Sequence, residues 1–170
     1  MKNNTDTPVL LSLGSNLGDR YDNIITAIKL FKESELISDI SISSFYESEP
    51  FGYENQPWFL NVSLIGKTSY SAEEILYFAK SIEYISGRQK REHWHEREID
   101  IDIILHGENV VNDKKLILPH PYFSKRKFVL MPTVEIAGSL RDPLSNKTIT
   151  KLLEECEDKS QVKLYSALAS

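Results

Sequence analysis

Residues 97–105 constrain the fold more than any other stretch of this chain. Ile99, Ile101, Ile103 and Leu105 alternate with Asp100 and Asp102, the period-two pattern of a strand with one buried face. Residues two apart on a strand share a face, so both carboxylates project the same way, about 7 Å apart at the backbone. Carboxylates this close repel each other unless positive charge lies between them. Hard oxygen ligands of this kind suit magnesium, which takes one or two protein carboxylates and completes its shell with water and substrate phosphates. The same residues also suit the polar outer face of an antiparallel strand. Neighbouring segments decide between the two readings.

Upstream, Val9, Leu10, Leu11 and Leu13 form a short apolar run that reads as a central strand. It ends in Gly14-Ser15-Asn16-Leu17-Gly18-Asp19-Arg20, a turn in which Asn16 or Asp19 caps the next helix. Its glycine spacing fits neither a dinucleotide fingerprint nor a P-loop. Ile24, Ala27, Ile28, Leu30 and Phe31 give that helix an apolar face. A second strand runs through Ile40 and Ile42 to Phe45 and Tyr46, and residues 49–57 form a proline-bracketed loop. In the third strand, from Trp58 to Lys67, Phe59, Asn61 and Ser63 face one way and Leu60, Val62 and Leu64 the other. An aromatic ring beside an amide serves either as surface or as a seat for a flat, hydrogen-bonding heterocycle.

Ser71 and Glu74 are a capping box. Ile75, Phe78, Ala79, Ile82 and Ile85 carry the core face of the second helix as far as Gly87. Residues 88–97 are basic and aromatic without apolar period, hence a loop that leads into the aspartate strand. His120 stands between Pro119 and Pro121 on a pre-organised backbone, suited to a buried hydrogen bond or a phosphate contact. A second basic cluster, Lys125 to Lys127, precedes an apolar run over residues 129–137 that Pro132 breaks. A last helix is expected over residues 149–155. Residues 1–7 and those from about 157 onward read as tails.

The order strand, helix, strand, strand, helix, strand predicts an α+β fold: a ferredoxin-like split βαβ (βαββαβ) antiparallel sheet, with helices on one face and a C-terminal extension. At 170 residues this is one domain over residues 1–170. The net charge of −5 argues against a broad nucleic-acid surface. Cys156 stands alone, and no apolar run is long enough for a signal peptide or a membrane span. A cytoplasmic monomer with no nucleic-acid or membrane partner is expected.

Several motifs in their shared order resemble the hydroxymethyl-dihydropterin pyrophosphokinase family, over roughly residues 8–155. They are the segment from Gly14 to Arg20, Ser43-Ser44-Phe45-Tyr46, Gln56-Pro57 with Phe59-Leu60-Asn61, and Ile82-Glu83 with Gly87-Arg88. They continue with Arg97-x-x-Asp100-Ile101-Asp102-Ile103-Ile104, Pro119-His120-Pro121 and Phe128-Val129-Leu130-x-Pro132. The chain departs from the family pattern at Lys80, His95 and Tyr122. The resemblance implies transfer of the β,γ-diphosphate of ATP to the hydroxymethyl group of a dihydropterin, yielding AMP, in folate biosynthesis. It further implies that Asp100 and Asp102 bind two Mg2+ and that Arg88, Lys90 and Arg97 act in catalysis. Nucleotide contacts would come from Glu83, Arg88, Lys90, Trp94, Arg97, Ile103, His120 and Arg126. The pterin would meet Ser48, Phe51, Phe59, Asn61 and Phe128. Two other readings stay open on the residues alone: a nucleotidyl transferase on a palm-like sheet, and a non-enzymatic RNA-binding or regulatory module.

Overall fold

The structure is a computed structural model and describes residues 6–52, 54–87 and 96–166. Strand β1 (Thr7–Ser15) is buried from Val9 onward because it runs between two antiparallel neighbours. The sequence signals this with apolar side chains on both faces, Leu10 as well as Val9, Leu11 and Leu13. Helix α1 (Arg20–Ser34) follows, then β2 (Ser38–Ile42), β3 (Tyr46–Ser48), β4 (Phe59–Thr68), α2 (Ala72–Ile85) and β5 (Asp100–His106). Asp19, not Asn16, caps α1, its carboxylate accepting from the Asp22 N–H at 2.9 Å. The capping box at α2 forms as expected: Ser71 Oγ accepts from Glu74 N, and the Glu74 carboxylate accepts from Ser71 N.

The expected second strand is two pieces. β2 and β3 both pair with β4, and residues 43–45 between them are not strand, although Ser43 still exchanges hydrogen bonds with Ser63 of β4. The main path runs β5-β1-β4-β3 and on to a last strand, β8 (Val162–Leu164), every pairing antiparallel. The expected tail is also corrected. Val162–Leu164 forms β8 against β3, and Gln161 and Glu49 exchange hydrogen bonds just beyond the paired residues.

One face of the sheet carries Val9, Leu11, Leu13, Leu60, Val62, Leu64, Ile101 and Ile103, packed against Ile24, Ala27, Ile28 and Phe31 of α1 and Ile75, Ala79 and Ile82 of α2. Each buried Val, Leu, Ile or Phe side chain among them contributes about 1.5–3 kcal/mol by leaving water. Ile85, expected on that face, is instead exposed at the C-terminal end of α2. Leu105 also departs from the expected alternation. A bulge opposite Leu10 and Leu11 inserts Ile104, so Leu105 turns to the other face.

That other face is not left open along its length. After a short β6–β7 ribbon (Val111–Asn112 and Ile117–Leu118), α3 (Lys127–Ala137) and α4 (Ile149–Glu154) pack Val129, Leu130, Ile149 and Leu152 onto Leu10, Ile104 and Leu105. The expectation of helices on one face therefore holds for α1 and α2 and fails for the extension. Thr133 of α3 meets Ser63 of β4 hydroxyl to hydroxyl at 2.8 Å. Among the described residues, the end of the sheet where β1 finishes and β5 begins stays uncovered.

Candidate active site

Register fixes what that open end presents. Gly14 lies opposite Asn61 on one side and Asp100 on the other, and Ser12 lies opposite Ser63 and Asp102. The floor is thus a row Asp100–Gly14–Asn61 with Asp102 and Ser12 beside it. A Cβ at Gly14 would sit 3.1 Å from Asn61 Oδ1 and 3.6 Å from the Phe59 ring, so glycine keeps the floor low. Ser48, Phe51, Arg97, His120, Tyr122, Arg126 and Phe128 complete the walls of a cleft of about 310 Å3.

The acidic end is crowded. Arg97 Nη1 lies 3.0 Å from Asp100 Oδ2. Burial, then the neighbouring Asp100 charge, raises Asp102 from the usual 3.8 to about 7. Burial pushes His120 down to about 4, and the nearby Arg126 charge adds to it. His120 is therefore neutral at physiological pH. Its Nδ1 accepts from the Tyr122 N–H at 3.2 Å, which leaves the proton on Nε2, 3.9 Å from Asp102. That distance is too long for a hydrogen bond. Burial also lowers Arg126, against the pull of Asp102 and Asp100. Its guanidinium lies 5.3 Å from the Tyr122 ring centroid, 5.8 Å from Phe128 and 6.0 Å from Phe51.

At the other end Asn61 is buried, and its Nδ2 donates to Ser48 Oγ at 2.7 Å. Phe59 and Phe128 line the same cleft. The structure thus brings together Ser48, Phe51, Phe59, Asn61, Arg97, Asp100, Asp102, His120, Arg126 and Phe128. Ile103 is not among them, because its side chain packs into the core beneath the sheet. Glu83 is also set apart. It is 3% exposed, accepts from the Ile101 N–H at 2.9 Å and pairs with Lys80 at 3.1 Å. Arg88, Lys90 and Trp94 lie outside the described residues. Sequence reasoning missed Ser12 and Gly14, whose signal is visible only once strand register is known. It also missed Tyr122, named only as a departure from a pattern.

Such a cleft, on an α+β scaffold, sets two carboxylates and two guanidinium groups at one end and aromatic rings with a buried amide at the other. The chain belongs to the 7,8-dihydro-6-hydroxymethylpterin-pyrophosphokinase (HPPK) family, whose model matches residues 10–138. It is 42% identical to the 2-amino-4-hydroxy-6-hydroxymethyldihydropteridine pyrophosphokinase of Aquifex aeolicus over 147 residues, 86% of this chain and 91% of that protein. It is 38% identical to the Bacillus subtilis protein of the same name over 74% of this chain and 75% of that one. Among solved structures, a Plasmodium falciparum HPPK-DHPS variant with pteroate has the same fold, with TM-score 0.68 and 15% identity. That match covers 91% of this chain and 44% of the other, so this chain spans under half of the two-part protein. Membership makes this chain an ATP-dependent diphosphotransferase that acts on hydroxymethyldihydropterin in folate biosynthesis.

The donor set also fits magnesium. Burial and the Asp100 charge hold the proton on Asp102 up to about pH 7 against the pull of Lys80 and Arg126, and a cation between the carboxylates would offset both. Among the described residues no cluster of three or more His, Cys, Asp or Glu forms. Two carboxylates that leave the remaining positions to water and phosphate are donors of the kind magnesium takes.

Proposed function

We propose that this cleft performs the diphosphate transfer, with ATP phosphates at the aspartate end and the pterin between Phe59 and Phe128. The observation that carries the reading is the Asp100–Gly14–Asn61 row. Two strand spacings, about 10 Å, separate the acidic end from the amide, so one substrate pair bridges them across a floor that Gly14 keeps clear.

Asp100 and Asp102 would hold two Mg2+, which would neutralise phosphate charge and acidify the pterin hydroxyl. The chain's own residues supply position and field. Asn61 and Ser48 read the polar edge of the pterin, with the backbone of Phe51 beside them. The two rings hold its plane, so the hydroxymethyl oxygen points at the β-phosphorus. That oxygen forms the new P–O bond as the bond to AMP breaks, and no covalent enzyme intermediate is needed. Arg97 and Arg126 stabilise charge on the phosphates, joined by Arg88 and Lys90 with Trp94 at the nucleotide. His120 offers a neutral N–H donor from Nε2. Glu83 and Ile103 act from beneath the strand, and Glu83 holds the Ile101 N–H between the two aspartates.

The β1-α1-β2/β3-β4-α2-β5 order, with β5-β1-β4-β3 along the sheet, supports assignment to the ferredoxin-like split βαβ class. A cytoplasmic monomer without a nucleic-acid partner is the accompanying proposal, supported by the lone Cys156 and the acidic net charge. No helix among the described residues is long and apolar enough to cross a membrane.

Calorimetry tests the site. A non-hydrolysable ATP analogue should bind strongly only with Mg2+, and Asp100→Ala should remove the dependence. Asn61→Ala should weaken pterin binding without touching the nucleotide. Magnesium-independent nucleotide binding in the wild type would refute the assignment.

A further inference from the structure

Asn16 sits where β1 leaves the sheet, 2% exposed, and caps no helix. Its hydrogen bonds go elsewhere. Its backbone N–H donates to Arg97 O at 3.1 Å, and its Oδ1 accepts from Arg97 N at 2.8 Å. One residue thus fixes both the N–H and the C=O of Arg97. The two hydrogens on Nδ2 go to Gln56 Oε1 at 2.9 Å and Pro57 O at 3.1 Å. The orientation of the amide is unambiguous, since a backbone N–H only donates and a carbonyl oxygen only accepts.

These contacts join two parts of the chain that are 40 residues or more apart, one leading from Phe51 and the other into Asp100, both of which line the cleft. Gln56 and Pro57 close the loop that begins beyond β3 and carries Phe51. Arg97 opens the approach to β5 and reaches Asp100 with its guanidinium at 3.0 Å. Arg20 straps the same loop a second time, donating to Trp58 O at 2.9 Å and Glu47 Oε1 at 2.8 Å. The loop end that Asn16 holds is therefore itself anchored to α1. An aliphatic side chain at position 16 would take the Asn16 partner away from the Arg97 N–H and the Pro57 carbonyl, both in part-buried hydrogen bonds. Aspartate would set oxygen against the Pro57 carbonyl.

We infer that Asn16 is a positioning residue for Arg97: it locks the Arg97 backbone to the 56–57 loop end, so the guanidinium is aimed by the pterin-side loop. The inference rests on the proposed role of Arg97 at the phosphates, and the test separates the two. Asn16→Ala should abolish amide-exchange protection at Arg97 in the ligand-free protein, whereas Asn16→Asp, which keeps an acceptor for that N–H, should retain it. Asn16→Ala should lower kcat by about tenfold or more, as misplaced catalytic groups do, with a smaller change in KM. Asn16→Asp should recover part of the loss. In an Arg97→Ala background, Asn16→Ala should cost less than about threefold further, because the effect runs through Arg97. Full additivity, or an Arg97 amide still protected in Asn16→Ala, overturns the positioning role while leaving Arg97 at the phosphates. An Arg97→Ala enzyme with intact kcat overturns the role of Arg97, and the positioning role falls with it. If Asn16→Ala does not fold, Gln56→Ala takes its place in the cycle, with the same non-additivity expected and the same additivity overturning it.

Discussion

Asp102→Asn should stabilise the ligand-free protein while destroying its activity. Asp102 titrates near 7 instead of 3.8, burial contributing most and the Asp100 charge next. The folded state thus binds this proton more tightly than the unfolded chain. The resulting stabilisation is fully present below about pH 3.8 and is lost as pH rises through about 7. Above that, an ionised Asp102 beside Asp100 is a constant cost. For a wholly shielded group the difference would correspond to about 4 kcal/mol. The side chain is 35% exposed, so solvent screening reduces this to about 1–2 kcal/mol. Asparagine keeps the shape and removes the charge. In EDTA and without nucleotide, the variant should therefore melt about 2–8 °C above the wild type at pH 8.5. The gain should shrink toward zero near pH 4. Differential scanning calorimetry across that range is the assay. A gain that does not vary with pH, or a variant less stable at pH 8.5, would refute the electrostatic reading of the pair. Lost turnover alongside gained stability is the trade expected of a site that holds like charges together for a ligand.

Tyr46, opposite Asn61 in the sheet, and Glu135 give a second pH signature. Tyr46 is raised to about 12 by burial and by its 2.7 Å hydrogen bond to Glu135, so stability should fall as pH climbs from 10 to 12, and Tyr46→Phe should remove that fall in alkaline melts. Burial pushes Glu135 up, but hydrogen bonds from Tyr46 and Ser44 outweigh it, so its contribution should be present above 4.5 and disappear as acid titration proceeds below, an effect absent in Glu135→Gln. Gly66→Ala would drive a Cβ to 2.3 Å from Ile37 Cγ2 and 2.7 Å from Ser38 O, and should cost about 1–3 kcal/mol in urea unfolding. Phe128→Ala should raise the KM for the pterin at least about tenfold, with ATP-analogue affinity little changed in calorimetry, because one side of the proposed ring sandwich is gone.

Elements whose signals are local could be read from the chain. α2 begins where Ser71 and Glu74 cap it, and β4 alternates as Phe59, Asn61 and Ser63 require. The aspartate pair was legible as far as a shared face, because strand periodicity is a backbone property. Features set by distant partners were not. α3 continues through Pro132 because Val129, Leu130 and Thr133 are buried against the sheet and α4, and packing outweighs a lost helix hydrogen bond. Its first N–H is met by Asp158, 31 residues away. β8 has exposed Lys163 and Leu164 and no apolar period, so only its pairing to β3 reveals it. Asn16 read as a helix cap because local chemistry favours that role, and its real partners, at residues 56, 57 and 97, are visible only in the folded chain. Which acceptor receives the phosphates came from family likeness, since carboxylates and guanidinium groups do not themselves specify a pterin.

Phosphorus-31 NMR of the products tests the central claim most directly, with ATP, Mg2+ and hydroxymethyldihydropterin supplied to the wild type and to Asp100→Ala. The account predicts AMP and the pterin diphosphate in equal amounts from the wild type. It predicts a rate lower by about a thousandfold or more from the variant, as for loss of a principal electrostatic group, with the fold intact by circular dichroism. Near-normal AMP production by Asp100→Ala, or free pyrophosphate with a nucleotidylated acceptor from the wild type, would contradict it.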